Sequence, residues 1–385
     1  MKKRKNIIVN YDSWILLIYL FLVFVGIFMQ LNINSVRTNL SFFINQLHWL
    51  ILSLFFMWFS FKVVTINFIR KAIFPLLLIT LGLLIAVLIK SLIVENADVN
   101  GSVRSIKVLG INIQPSLLSR VVLVLFTANA LDRKKDKCED SNPINFFKNF
   151  NFLLIIIAIF FGFILSEKHF TPLIISGLTI MWLFVLAKIR FKTIFLMIVI
   201  VSLLGFFVIK FGPQYRSVRM KIFHKYSLIH KAMDKAGDYK GDSEYQIRES
   251  LIALASGHVL GRGPNRGMAK HYFLPEAKTD YIFSIIGEDF GLWGSFLIFA
   301  AYCFLFWRTF QNSVKEKDHF LKFAGIGLGM NIFFNAMVNM GVAMSALPST
   351  GVTLPFISYG GTSLLVNSIT IGLLLNISAE RRRVA

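Results

Sequence analysis

Cysteine is nearly missing from this 385-residue chain: there are two, Cys138 in a polar stretch and Cys303 inside an apolar run. Neither is expected on an oxidising face, so a disulfide framework and thiol redox chemistry are excluded. Metal-ligand spacing is missing as well: His48 stands near the start of an apolar run, His169 lies between two runs, and the other histidines are scattered through loops. No Walker loop occurs, and Gly261-Arg262-Gly263 opens no helix of the kind a dinucleotide fingerprint needs, so ATP-driven transport is unsupported. There is no internal repeat. The cluster from Lys2 to Lys5 looks like the start of a signal sequence, but the run from Trp14 is long enough to span, at about 20 residues, and no small-residue cleavage site follows. It is expected to stay as a first anchor.

Acidic residues are scarce too: 20 Asp and Glu stand against 41 Lys and Arg, a net charge of +21. In a soluble protein that balance would suggest nucleic acid. Here many basic residues sit in short loops between apolar runs, so membrane topology explains much of the charge and nucleic acid is not the expected partner. What the chain has in excess is apolar surface. It is 56% hydrophobic with a mean hydropathy of +0.66, more than one soluble core can bury. Its 40 Phe and 25 Gly suit helices packed in lipid, where aromatics fill volume and small residues let backbones approach.

The fold class read from this pattern is an all-α polytopic membrane protein with about ten transmembrane helices, at 14–33, 45–65, 72–94, 115–131, 151–167, 170–188, 193–210, 280–307, 320–346 and 359–379. An even count puts both termini on one side, and the basic clusters agree. They are Lys2 to Lys5, Lys62/Arg70/Lys71, Arg133 to Lys137, Lys188/Arg190/Lys192, Arg308/Lys315/Lys317/Lys322 and Arg381 to Arg383, all on the expected cytoplasmic side. The chain is read as one membrane domain, 1–385. The opposite face carries two longer connections, 95–114 and 211–279. The second, between spans seven and eight, is expected to be a folded extracytoplasmic loop: Ser243 to Ala255 reads as an amphipathic helix and Gly257 to Gly267 as a glycine-rich turn.

Chemistry concentrates near the eighth span. Leu274-Pro275-Glu276-Ala277-Lys278-Thr279-Asp280 opens it, and a carboxylate at that boundary is either a general base brought toward working pH by desolvation or an N-cap. Asp280, Ser284 and Glu288 recur at four-residue spacing and share a face, as do Asn331, Asn335 and Asn339 in the ninth span. The Asn stripe is expected to be interhelical hydrogen bonding, and Glu288 to face a cavity or a partner. Leu354-Pro355-Phe356-Ile357-Ser358-Tyr359-Gly360-Gly361-Thr362-Ser363 either lines a headgroup cavity or forms a packed turn. Arg104, Arg219, Arg248, Arg262, Arg266 and Lys270 fall on the outer connections and together suggest an anionic ligand, since guanidinium forks suit phosphate oxygens.

These residues resemble the SEDS family (shape, elongation, division and sporulation). Four pieces carry the resemblance: Asn100-Gly101-Ser102-Val103-Arg104 with Gln114-Pro115-Ser116; Tyr245-Gln246 with Ser250 to Ala253; Gly261-Arg262-Gly263 running to Asp280; and Leu347-Pro348 with Thr353 to Ser363. The resemblance implies ten transmembrane helices and an inverting glycosyltransferase that polymerises lipid II outside the inner (cytoplasmic) membrane, with Asp280 on the essential acidic position. Gln246, Glu276, Lys278, Ser358 and Ser363 join Arg104, Arg219, Arg262 and Lys270 as implied substrate-binding residues. It leaves room for Mg2+ or another divalent cation and implies no other cofactor and no residue-built metal site. Gly261-Arg262-Gly263-Pro264, Pro348 to Pro355 and the ending Leu374-Leu375-Asn376-Ile377 look like the division-type branch. That branch implies a class B penicillin-binding transpeptidase and other divisome proteins as partners, at the septum.

The chain departs from the family pattern where an acid and a later Lys commonly follow Gln-Pro-Ser: here stand Leu117 and Arg120. The frequent His before Thr-Asp is Lys278, and an acidic Pro-Asp step near the fifth span is Lys168-His169. The competing readings are an elongation-type polymerase, a lipid II flippase, for which a polar cavity within the membrane would serve equally, and a division scaffold without chemistry. A flippase needs access from both leaflets, whereas the densest motifs lie on the outer side.

Overall fold

The computed structural model describes residues 6–36, 41–93, 105–108, 111–138, 142–167, 170–210, 221–223, 225–226 and 242–383. Arg104, Arg219, the Lys2 to Lys5 cluster, Lys168-His169 and, within the 211–279 loop, residues 211–220, 224 and 227–241 lie outside them.

Each of the ten apolar segments coincides with a helix. They are α1 (Ser13–Val36), α2 (Ser41–Lys62), α3 (Ile66–Ile93), α4 (Pro115–Arg133), α6 (Asn151–Ser166), α7 (Phe170–Leu186), α8 (Phe191–Lys210), α10 (Ile282–Lys315), α11 (His319–Ala343) and α12 (Gly361–Ile377). Two more, α5 (Pro143–Asn149) and α9 (Asp242–Ser256), lie between them, the latter on the segment read as amphipathic. Local chemistry sets the ends. Pro115 opens α4, where a missing N–H costs nothing, and the Asp318 carboxylate caps α11 by accepting from Phe320 N at 2.9 Å and Leu321 N at 3.3 Å.

Six of these helices are long and apolar enough to cross a bilayer, and α5 with α6, bent by 77°, would make a seventh. Phe170–Leu186, Phe191–Leu203 and Gly361–Ile377 are apolar but shorter. A helix of 17 residues covers about 26 Å, just under a hydrocarbon core of about 30 Å. Among the described residues the structure therefore gives six or seven candidate spans by length and composition where the hydropathy pattern gave about ten segments.

An all-helical chain was expected, yet two small sheets occur. β2 (Ile106–Val108) and β3 (Ile111–Ile113) form a hairpin, and β1 (Asn6–Asn10) pairs antiparallel with β4 (Glu380–Arg383). The second pairing joins the two end segments at one end of the bundle. Ion pairs gather at that same end: Asp12 with Arg308 at 2.6 Å, and Arg70 with Asp132 at 2.8 Å and Asp318 at 2.6 Å.

Helices α4 and α11 are central, with 78% of the apolar window of each buried against 17% for α2. Trp14, Phe24, Ile51, Trp58 and Trp293 instead point outward from peripheral helices, an apolar rim suited to lipid. Where α1 crosses the 354–358 segment the backbones nearly touch: a Cβ at Gly26 would lie 2.9 Å from the Ile357 Cα. That contact fixes the loop carrying Ser358 against α1, at the end of the bundle opposite the paired termini.

Candidate functional site

The site is organised by a break in α10. Gly291 adopts φ 66° and ψ −158°, a conformation essentially reserved for glycine, and the helix is interrupted there. The carbonyls of Glu288 and Asp289 are freed and accept from Arg262 N and Gly263 N, both at 2.9 Å, while Leu292 N donates to His258 O at 3.0 Å. The glycine-rich turn is thus stitched into the kink.

The two acids before the break complete the attachment. Glu288, 2% exposed, does not face an open cavity; its carboxylate accepts from Met268 N at 2.7 Å and Ala269 N at 3.0 Å, at the start of a π-helical turn over Ala269–Phe273. Asp289 accepts from Lys270 Nζ at 3.2 Å and from the Asn32 side chain, and Lys270 also donates to Asn32 Oδ1 at 2.9 Å. Lys270, read from sequence as an outer-loop contact for an anion, is 0% exposed and turned inward. The physical reason is its counter-ion: a lysine enters a core when a carboxylate meets it there.

Asp280 lies at the start of the same helix, in a turn with Glu276 at positive φ (53°). The Glu276 carbonyl accepts from Thr279 N and Asp280 N, both at 3.1 Å. Three consecutive carbonyls are then held from outside the turn. Lys278 O accepts from Tyr359 N at 2.8 Å, Thr279 O from Ser358 Oγ at 2.5 Å, and Asp280 O from Asn339 Nδ2 at 2.8 Å. The N-cap of α10 falls on Tyr281 and carries no side-chain cap bond, so Asp280 is not its N-cap. Ser284, one turn on, is fully buried and bonds Ser250 Oγ of α9 at 2.7 Å. Two residues of the Asn stripe of α11 hydrogen-bond to loops and α4 rather than to side chains of α10: Asn335 accepts from Arg120 at 3.0 Å, and Asn339 reaches Val352 O at 2.5 Å, while Asn331 Oδ1 is buried without a partner.

Beside this frame a cavity of about 620 Å³ opens between α2, α4 and the 351–363 segment. Asn45, His48, Gln114, Arg120, Thr353 and Ser363 are among the residues lining it. Ser363 Oγ lies 2.8 Å from Thr353 Oγ1. The segment read as either cavity wall or packed turn is both: Tyr359 to Ser363 line the cavity, while Leu354 to Ser358 are buried.

The predicted residues therefore divide. Lys278, Asp280, Ser358 and Ser363 converge around the Tyr359 segment, with the Lys278 ammonium 3.5 Å above the Phe42 ring centroid. Glu276 is exposed at the tip of the turn and accepts from Thr279 Oγ1 at 2.7 Å. Arg262 is exposed, its Nε donating to Ser256 O at 3.1 Å, and Gln246 is half-buried on α9; neither lines the cavity. Sequence reasoning did not assign Arg120 a site role, although its interruption of an apolar run was the available signal. It also missed the clamp made by Asn339. No group of three or more His, Cys, Asp or Glu side chains comes together among the described residues.

Apolar helices with outward-facing hydrophobic rims, closed at one end by a polar frame and cavity, define a multi-pass helical membrane protein. A model of the FtsW/RodA/SpoVE family, described as cell cycle protein, matches residues 10–383. The chain belongs to this family. It is 31% identical over 318 residues to a probable peptidoglycan glycosyltransferase FtsW of Geobacter sp. (strain M18), covering 82% of this chain and 81% of that protein. It is 34% identical over 288 residues to a protein of the same description from Buchnera aphidicola subsp. Schizaphis graminum, covering 74% and 77%. The fold matches a chain of a solved peptidoglycan synthase complex with a TM-score of 0.74 at 20% identity, covering 96% and 98%. It matches the rod shape determining protein RodA of Thermus thermophilus with a TM-score of 0.67 at 19% identity, covering 96% and 97%.

Proposed function

We propose that this chain is an inverting peptidoglycan glycosyltransferase that polymerises lipid II into glycan strands during septal wall synthesis, with Asp280 as its general base. The observation that carries the reading is the frame around Asp280. Three neighbouring carbonyls are fixed by Tyr359, Ser358 and Asn339, so the backbone bearing the carboxylate is held beside a polar cavity. Such pre-set geometry is what proton transfer to a positioned base requires.

In the reaction, the Asp280 carboxylate takes the proton of the acceptor sugar hydroxyl as its oxygen bonds to the anomeric carbon of the donor. The anomeric C–O bond breaks from the opposite face, and undecaprenyl diphosphate leaves with the bonding electrons. Basic residues stabilise the departing diphosphate. No step is routed through a metal.

The finer topology belongs to the same proposal: ten crossings, both termini cytoplasmic, and the 211–279 loop with Asp280 on the outer face. The paired end segments support the shared side of the termini. The shorter helices cross with help from flanking polar residues and local bilayer thinning. A class B transpeptidase is the expected membrane partner, supported by the family and by the synthase complex among the structural matches.

The experiment is incubation of purified chain, in complex with its cognate transpeptidase, with lipid II. Glycan ladders on a gel are the expected result. Intact lipid II together with measurable lipid II translocation across vesicles would replace the proposal with a flippase.

A further inference from the structure

At the end of the bundle that carries the paired end segments, another cavity of about 470 Å³ opens between the ends of α4 and α7 and the start of α11. Its lining is basic. Lys135, Lys188 and Lys322 line it together with His319, and Asp136 is the single acid among the lining residues. Three lysines against one aspartate leave two positive charges that the lining does not balance. The neighbouring acids are engaged elsewhere: Asp132 and Asp318 both pair with Arg70, at 2.8 Å and 2.6 Å. Among the described residues, neither His319 nor any of these lysines forms an ion pair. Like charges around one concave space repel, and an anion seated among them removes that repulsion.

The backbone at Lys188 supports a ligand role. Helix α7 ends in a Schellman turn, with Ile189 N donating to Phe184 O at 3.2 Å and Lys188 N to Val185 O at 3.0 Å, and Lys188 fills its left-handed position at φ 58°. Glycine would relax that position; a lysine is strained there, and it brings a charge to the cavity. The lining also includes Leu131 and Phe323, both buried, so apolar surface meets the basic groups within one cavity. Just before Lys188 on α7, Trp182 and Val185 are exposed and belong to the apolar rim suited to lipid. A free anion gains nothing from apolar walls, whereas a phospholipid has both a phosphodiester and acyl chains to place.

We propose that this cavity holds the phosphodiester headgroup of an anionic phospholipid from the leaflet on that side, with Lys135, Lys188 and Lys322 around the phosphate and an acyl chain leaving along the outer face of α7. Lysine suits such a ligand: it is a compact charge that follows a mobile headgroup, where a guanidinium would ask for fixed bidentate geometry. The site lies at the opposite end of the bundle from Asp280, and it stands independently of the polymerase reading.

The test is thermal unfolding of the full chain in mixed micelles carrying equal mole fractions of phosphatidylglycerol or phosphatidylcholine, with native mass spectrometry counting retained lipid. Phosphatidylglycerol is expected to raise the melting temperature by several degrees more than phosphatidylcholine, since a ligand of the folded state stabilises it, and to stay bound. The double variant Lys188→Gln with Lys322→Gln should lose at least half of that difference and the retained lipid. Lys188→Gly relaxes the left-handed turn, so its lipid-free melting temperature should equal or exceed that of wild type while the phosphatidylglycerol effect shrinks. As a control, Lys62→Gln with Lys71→Gln removes two exposed lysines at the same end but outside the cavity, and should keep the full effect. Equal shifts from the two lipids, or an unchanged phosphatidylglycerol effect in the cavity variants, would overturn the proposal. So would a control that loses as much as the cavity double variant, which would make the attraction diffuse, or a lowered lipid-free melting temperature in Lys188→Gly, which would make the lysine structural. Inorganic phosphate that reproduces the whole effect without phosphatidylglycerol would also overturn it, assigning the cavity to a free anion.

Discussion

The Asn339 side-chain amide donates to the backbone carbonyl of Asp280 at 2.8 Å, and the same nitrogen reaches the Val352 carbonyl at 2.5 Å. One residue of the central helix α11 therefore ties the start of α10 to the segment that forms the cavity wall. Because both acceptors are backbone, the bond fixes where Asp280 sits without engaging its carboxylate.

Replacing Asn339 with Leu keeps the volume and strips both carbonyls of a donor. Each buried unpaired carbonyl costs about 1–3 kcal/mol. We predict a lowered melting temperature and a fall in kcat for glycan formation that exceeds any change in KM, read by steady-state kinetics on lipid II. An unchanged kcat in a folded variant would mean that the clamp does not position the base.

Gly291 carries the kink that exposes the Glu288 and Asp289 carbonyls to the glycine-rich turn. An Ala there is strained at φ 66°, and its Cβ would press on the Gly261 and Val259 backbone. Gly291→Ala should detach the 257–267 turn, which limited proteolysis would detect as new cleavage within it. Full protease resistance would argue that the kink survives without glycine.

Lys270 and Asp289 form a salt bridge at 3.2 Å with both side chains fully buried. Removing one partner leaves the other charged and unpaired, at a cost of about 3–5 kcal/mol, whereas removing both avoids that penalty. Lys270→Met and Asp289→Leu should each destabilise the chain strongly, and the double variant by much less than the sum. Additive losses in thermal unfolding would show that the pair is not coupled.

Much of the architecture was legible in hydropathy, because a helix facing lipid needs a continuous apolar run and the ten runs from Trp14 to Ile377 coincide with helices. The α9 helix and the turn after it were legible from periodicity and glycine content. The bend between α5 and α6 was not, since Asn149, Phe150 and Asn151 give only a weak local break in a longer apolar context. The site was legible in its motif residues and illegible in its pairings. Lys270 reads as a surface loop cation, because its partners, Asn32 and Asp289, are 238 and 19 residues away in sequence. Arg120 reads as an interruption of α4, because nothing local reveals that Asn335 meets one of its nitrogens and that a cavity faces it. Long-range side-chain pairs carry no periodic signature, so they appear only once the helices are packed.

The central claim, that the Asp280 carboxylate takes the acceptor proton, is tested most directly by Asp280→Asn. This change preserves size and the backbone clamps while removing the charge that makes the group a base. Glycan-strand formation from lipid II by the complex with the cognate transpeptidase should be lost, with expression, membrane insertion and transpeptidase binding intact. Glycan ladders of wild-type intensity from the Asp280→Asn complex would contradict the account and leave Asp280 a structural residue.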